Sequence, residues 1–132
     1  VIVESGKDIL HEAIKKYAPG LDVYVYMANK ATQLAGVNEI GNAAIQLYSL
    51  HSSNEQLLQA YRVSFDKVAS GKYDEADIES LKYSFDLLRN SYKTELDLAA
   101  KIAAVEGSHE TKRHYKELSK SISKMSMIDS IG

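Results

Sequence analysis

The four histidines, His11, His51, His109 and His114, are where chemistry would start, because the chain has no cysteine. Disulfides, thiolate metal sites, iron–sulfur clusters and cysteine nucleophiles are thereby excluded. A ferritin-like dinuclear centre needs two Glu-x-x-His strings and two further glutamates from facing helices. The chain holds one such string, Glu106-Gly107-Ser108-His109, and it straddles a glycine break. Glu110 and His114, four residues apart, can share a helix face. One carboxylate and one imidazole fall short of the three or four ligands a metal site takes. His109 and His114 diverge by about 140° around a helix. His51 lies on an apolar stripe near an expected helix end, where it reads as a hydrogen-bonded boundary residue rather than a base. His11 follows Asp8 by three residues, an ordinary surface pair. No catalytic, cofactor-binding or metal-ligating residue is assigned, and no cofactor is expected.

Other motifs fail on their details. Gly36-Val37-Asn38-Glu39-Ile40-Gly41 has the glycine spacing of a P-loop, but Asn42 and Ala43 stand where Lys and Ser or Thr are needed. It reads as a helix–helix turn followed by a close-packing glycine. No serine sits in a Gly-x-Ser-x-Gly elbow, and Ser108 and His109, being adjacent, point apart on a helix. Arg113, Lys116, Lys120 and Lys124 recur at helical spacing and could track phosphates. They lack interleaved aromatics in a net-acidic chain, so a solvated face is the expectation and nucleic acid is not. Gly71-Lys72-Tyr73-Asp74-Glu75-Ala76 has the glycine, tyrosine and alanine spacing of a tetratricopeptide centre. No second copy follows at a period of about 34 residues, so no family is assigned.

The elements that would position these residues are helical. The 132 residues are 45% apolar and 26% charged, with a net charge of -2, the composition of one globular domain. Nine tyrosines, two phenylalanines and no tryptophan suit half-buried positions on helix faces. No apolar run approaches the ~20 residues of a membrane helix. The chain begins Val1-Ile2-Val3 without methionine, as expected of an excised domain or a product after signal removal. A soluble chain, cytoplasmic or exported, is expected, with the compartment undecided.

Helices are predicted over Lys7–Ala18 with Ser5 as cap, and over Val23–Ala35 with Asp22 as cap. The second has a stripe of Val23, Met27, Ala31 and Leu34. Its opening, Val23-Tyr24-Val25-Tyr26, has strand-like content but no second strand to pair with. A third helix is predicted over Glu39–His51, capped by Asn38. A fourth begins at a Ser52/Ser53 capping box and runs to Ala69. The fifth, Asp74–Glu106, carries Ile78, Leu81, Phe85, Leu88, Tyr92, Leu96, Ala99 and Ile102 or Ala103, a heptad seam with one stutter. At about 50 Å it would overhang a compact domain, predicting a kink near Asn90-Ser91 or a cover over its end. The sixth, His109–Met127, carries Tyr115, Leu118, Ile122 and Met125, with Ser108 as cap. Residues 74–106 hold eight acids and four bases, and residues 108–132 five bases and three acids, a contrast that favours docking the two as a hairpin.

The expectation is one all-α domain over residues 1–132, a bundle of five or six mostly antiparallel helices with a long helical hairpin over 73–132. With no catalytic constellation, the function expected is non-enzymatic protein binding, as an adaptor, immunity, chaperone-like or assembly module. The partner is another protein or a second copy. The alternative is a sensor or carrier with a ligand pocket between helices, lined by Tyr24, Tyr26, Tyr48 and Tyr61. A third class, an enzyme using carboxylates or Glu110 and His114, ranks last.

Overall fold

A computed structural model describes Leu10, Ile14, Lys15, residues 20–107 and residues 109–125. Among them the fold is all-helical: α1 (Leu21–Ala35), α2 (Val37–Ala69), α3 (Glu75–Glu106) and α4 (His109–Ser123). Leu10, Ile14 and Lys15 are also helical, and the rest of the first predicted helix lies outside the described residues.

The predicted third and fourth helices are one, α2, and Ser52 and Ser53 sit exposed inside it. The reason is its buried stripe: Ile40, Ala44, Leu47, His51, Asn54, Leu58, Tyr61, Phe65 and Val68. These recur at alternating steps of four and three from end to end, and such a seam overrides the small propensity penalty of two serines. α3 stays helical through Asn90-Ser91. Its buried seam is Leu81, Phe85, Leu88, Tyr92, Glu95, Ala99 and Ile102, again in unbroken steps of four and three. Leu96 is buried beside Glu95, and the register passes through Glu95 without a stutter. The two long helices, of 33 and 32 residues, pack against each other.

Three glycines with positive φ stand at the junctions, Gly36, Gly71 and Gly107. At Gly36 (φ 92°) the N–H returns to the Thr32 carbonyl at 2.8 Å while its own carbonyl accepts from Ile40, so one residue closes α1 and opens α2. Only glycine adopts that backbone without strain. Asn38 and Asp22 therefore lie in first turns rather than at caps, and Gly20 precedes α1. α3 opens on a capping box: Asp74 accepts from the Asp77 N–H, and the Asp77 carboxylate accepts from the Asp74 N–H, each at 3.0 Å. Lys67, near the end of α2, reaches Asp77 at 2.8 Å.

α3 packs against all three other helices, and α1 lies across α2 and α3. α1 is rotated from its predicted stripe. It buries Tyr24, Met27, Ala28 and Ala31, while Val23 and Leu34 face out. Two apolar clusters form. One gathers Leu58, Tyr61, Phe65, Leu81, Phe85, Leu88 and Tyr92 with Leu10, Ile14 and Ile122. The other gathers Ile40, Ala44, Leu47, Ala99, Ile102 and Ala103 with α1 and Tyr115. Its many alanines let α1 approach closely. α4 is tied to α3 by Ser119, which donates to Asp97 at 2.7 Å, and by Arg89, which donates to the Met125 carbonyl at 3.0 Å.

The Lys67 hydrogen bond, then the Asp74 backbone N–H, hold the Asp77 carboxyl below its usual value. A lowered native pKa means that the contribution is complete above the unfolded value and is lost as pH falls through the native one. Asp77→Asn is expected to flatten the acid limb of a plot of urea midpoint against pH, and a limb unchanged from the parent would refute the assignment.

Candidate functional site

Between the two apolar clusters, the α2 and α3 seams each place polar side chains where a coiled coil would put aliphatic ones. These are His51 and Asn54 from α2 and Glu95 from α3. Glu95 is 0% exposed and His51 8%. Three donors meet the Glu95 carboxylate. The Tyr24 hydroxyl donates to Oε2 at 2.6 Å, and Asn54 Nδ2 donates to Oε1 at 2.9 Å. His51 Nδ1 lies 3.2 Å from Oε2 and donates in the tautomer that carries its proton there. Asn54 is itself held by Ser91, whose hydroxyl donates to the Asn54 amide oxygen and whose carbonyl accepts from Nδ2. The Tyr24 ring stands edge-on to the His51 imidazole at 5.4 Å. A buried carboxylate without partners would be costly, and this one uses both oxygens.

The neighbouring phenols answer to the same environment. Burial, then the Glu95 charge and its hydrogen bond, push the Tyr24 hydroxyl far above its ordinary value, so it remains a donor. Burial and the Glu95 charge push Tyr92 up likewise. On the outer edge of the layer, His51 Nε2 faces Glu55 at 3.6 Å. Here a cavity of about 160 Å³ opens, lined by Ile14, Gly20, His51, Glu55, Leu58 and Tyr92, with Lys15 at its rim. Glu95 behind His51 is the arrangement that orients an imidazole, and among the described residues no serine or threonine lines the cavity.

A second feature is the outer face of the α2–α3 pair. Tyr83, Leu87, Thr94, Leu98 and Val105 share one stripe of α3, with Tyr83 69% exposed and Leu87 and Val105 each 40%. Beside them a groove of about 390 Å³ runs between the helices, lined by Gln46, Ser49, Leu50, Ser53, Thr94 and Leu98, none of them charged.

The residues singled out from sequence are mostly scattered. His109, Glu110 and His114 are exposed on α4. Among the described residues no group of three or more histidines and carboxylates is placed to hold a metal. Asp8, His11, Ser108 and the Glu106 side chain lie outside the described residues. Gly41 is not a close-packing glycine, since an added Cβ would meet only Val37, at an ordinary 3.8 Å. The four tyrosines proposed to line one pocket do not converge. Tyr24 is bonded to Glu95, Tyr61 is buried against Phe65 and Phe85, Tyr48 is half-buried and Tyr26 is exposed. His51 is hydrogen-bonded but belongs to the seam rather than to a helix end. Glu95, Asn54 and Ser91 were not foreseen as a site. The signal for Glu95 was present: it alone keeps the α3 seam in register. Among the described residues no helix is long and apolar enough to cross a membrane. Comparison with known proteins found no matching family model, no similar curated protein and no similar solved structure.

Glu95→Leu would leave three buried donors without their acceptor and is expected to cost about 3–5 kcal/mol in urea denaturation. Replacing the layer together, as Tyr24→Phe, His51→Leu, Asn54→Leu and Glu95→Leu, is expected to recover most of that loss. A quadruple variant less stable than Glu95→Leu would contradict this account.

Proposed function

We propose that the chain is a non-enzymatic, helical protein-binding domain that uses the open α2–α3 face to hold an amphipathic helix of a partner. The observation that carries this is the apolar stripe of Tyr83, Leu87, Leu98 and Val105 beside Leu50, repeating at seam spacing with nothing among the described residues packed over the groove. Antiparallel neighbours offer a straight groove into which a third helix fits ridge to groove. The uncharged lining suits an apolar face. On this reading residues 1–132 act as one domain, with α3 and α4 working as its long hairpin. An adaptor, immunity, chaperone-like or assembly role fits such a surface.

A second reading, a carrier or sensor of a small molecule, is supported by the cavity beside His51. At about 160 Å³ it matches a ligand of a few heavy atoms, below the ~300–1,000 Å³ of drug-sized sites.

The test is a photocrosslinking residue at position 98, with position 79 on the charged opening of α3 as the control. Crosslinks to another protein from 98 and not from 79 are expected. Crosslinks to a second copy would assign the face to self-association, and equal yields from both positions would overturn the reading. Leu87→Glu is expected to abolish the crosslinked partner while changing the melting temperature little, because that side chain is 40% exposed.

A further inference from the structure

Around α3 from the apolar face, the surface changes from neutral to strongly positive. Lys112, Lys116 and Lys120 recur every four residues along the outside of α4, with Arg113 beside them. They form a ridge about 12 Å long. Lys93 and Lys101 on α3 flank it across a shallow groove of about 510 Å³, whose floor includes Ser119 and Ser123. A second groove, of about 490 Å³, lies along the outer side of the ridge and is lined by Lys112, Arg113, Lys116 and Lys120. Lys116 and Lys120 border both grooves.

These six cations face two carboxylates, Asp97 and Glu117. Asp97 is engaged by Lys93 at 2.9 Å and by Ser119. Among the described residues, no carboxylate lies within ion-pair distance of Lys101, Lys112, Arg113, Lys116 or Lys120. Elsewhere on α3 the cations are paired: Lys82 with Glu79 and Arg89 with Asp86. Asp97, which feels the Lys116 charge, and Glu117 offset only part of this ridge of six cations, whose remaining positive charges repel one another, and a bound anion would relieve that repulsion.

The geometry points to an acidic polypeptide segment as the ligand of this ridge. Three features favour a polypeptide over other polyanions. Five of the six cations are lysines, point charges that meet single carboxylates, and only Arg113 offers the fork that suits phosphate. The outward residues of α4 include no Phe, Tyr or Trp on which a base could stack. They include no exposed aliphatic side chain to enter a lipid surface either, since Ile122 is buried and Leu118 packs against both apolar clusters. The acidic opening of α3, Asp74 to Glu79, lies roughly 27 Å away along the helix, so a short acidic segment touches the ridge without meeting it. This surface is distinct from the open α2–α3 face and does not depend on that face holding a partner.

The test is fluorescence anisotropy with a labelled glutamate peptide of about six residues, whose ~20 Å at about 3.3 Å per residue spans the ridge and stays short of the acidic opening of α3. Saturable binding at low salt that weakens as salt rises is expected. Lys112→Glu, Lys116→Glu and Lys120→Glu together are expected to weaken it by about tenfold or more, the matching glutamine variant by less, and Lys82→Glu not at all. Unchanged far-ultraviolet circular dichroism would confirm that the variants fold. The inference is overturned if the peptide does not saturate, if Lys82→Glu weakens binding as much as the triple variant, or if a single-stranded oligonucleotide or phosphatidylserine vesicles bind more tightly than the peptide.

Discussion

The Glu95 carboxylate ties three helices at one point. It sits on α3 and takes its hydrogen bonds from Tyr24 on α1 and from His51 and Asn54 on α2. An apolar seam of four-and-three steps can slide by one heptad at little cost, because one leucine packs much like another. A carboxylate that must find three donors cannot slide. The polar layer therefore supplies register, in the way a buried asparagine does in a coiled coil, while the clusters on either side supply the hydrophobic free energy.

That division explains the distribution of residue types. Below the layer, large side chains such as Tyr61, Phe65, Phe85 and Leu88 fill the space between α2 and α3. Above it, the seam narrows to Ala44, Ala99 and Ala103, and α1 closes over it with Met27, Ala28 and Ala31. α1 must come close for the Tyr24 hydroxyl to reach Glu95, and small residues are what permit it. α4 adds Ile122 and Tyr115 to the two clusters and a part-buried polar tie through Ser119. Burial acts to raise the Asp97 carboxyl, but hydrogen bonds from Ser119 and Lys93 outweigh it and hold the group below its ordinary value.

Because the core faces of α2 and α3 are satisfied from one side, their opposite faces are left to solvent. The apolar stripe through Leu87 and Leu98 and the lysine ridge on α4 are neighbouring surfaces of different chemistry. One is neutral and apolar and the other cationic.

How much of this was legible in the sequence can be seen residue by residue. The helical class followed from period alone, and the breaks at Gly36, Gly71 and Gly107 followed from the one residue that tolerates a positive φ. The α3 seam through Leu81, Leu88 and Tyr92 was equally plain. These are local properties, set by backbone sterics and by which side chains share a face. Helix continuity was not local. Ser52-Ser53 resembles a capping box and Asn90-Ser91 a weak point, and each stays helical because its neighbours are buried by another helix. Nor could the chain alone say which of its many glutamates is buried. Burying a carboxylate is favourable only when distant residues bring donors to it, and Tyr24 stands 71 positions from Glu95. Tertiary structure alone decided that, because the free energy of a buried charge belongs to the whole hydrogen-bonded group rather than to the residue that carries it.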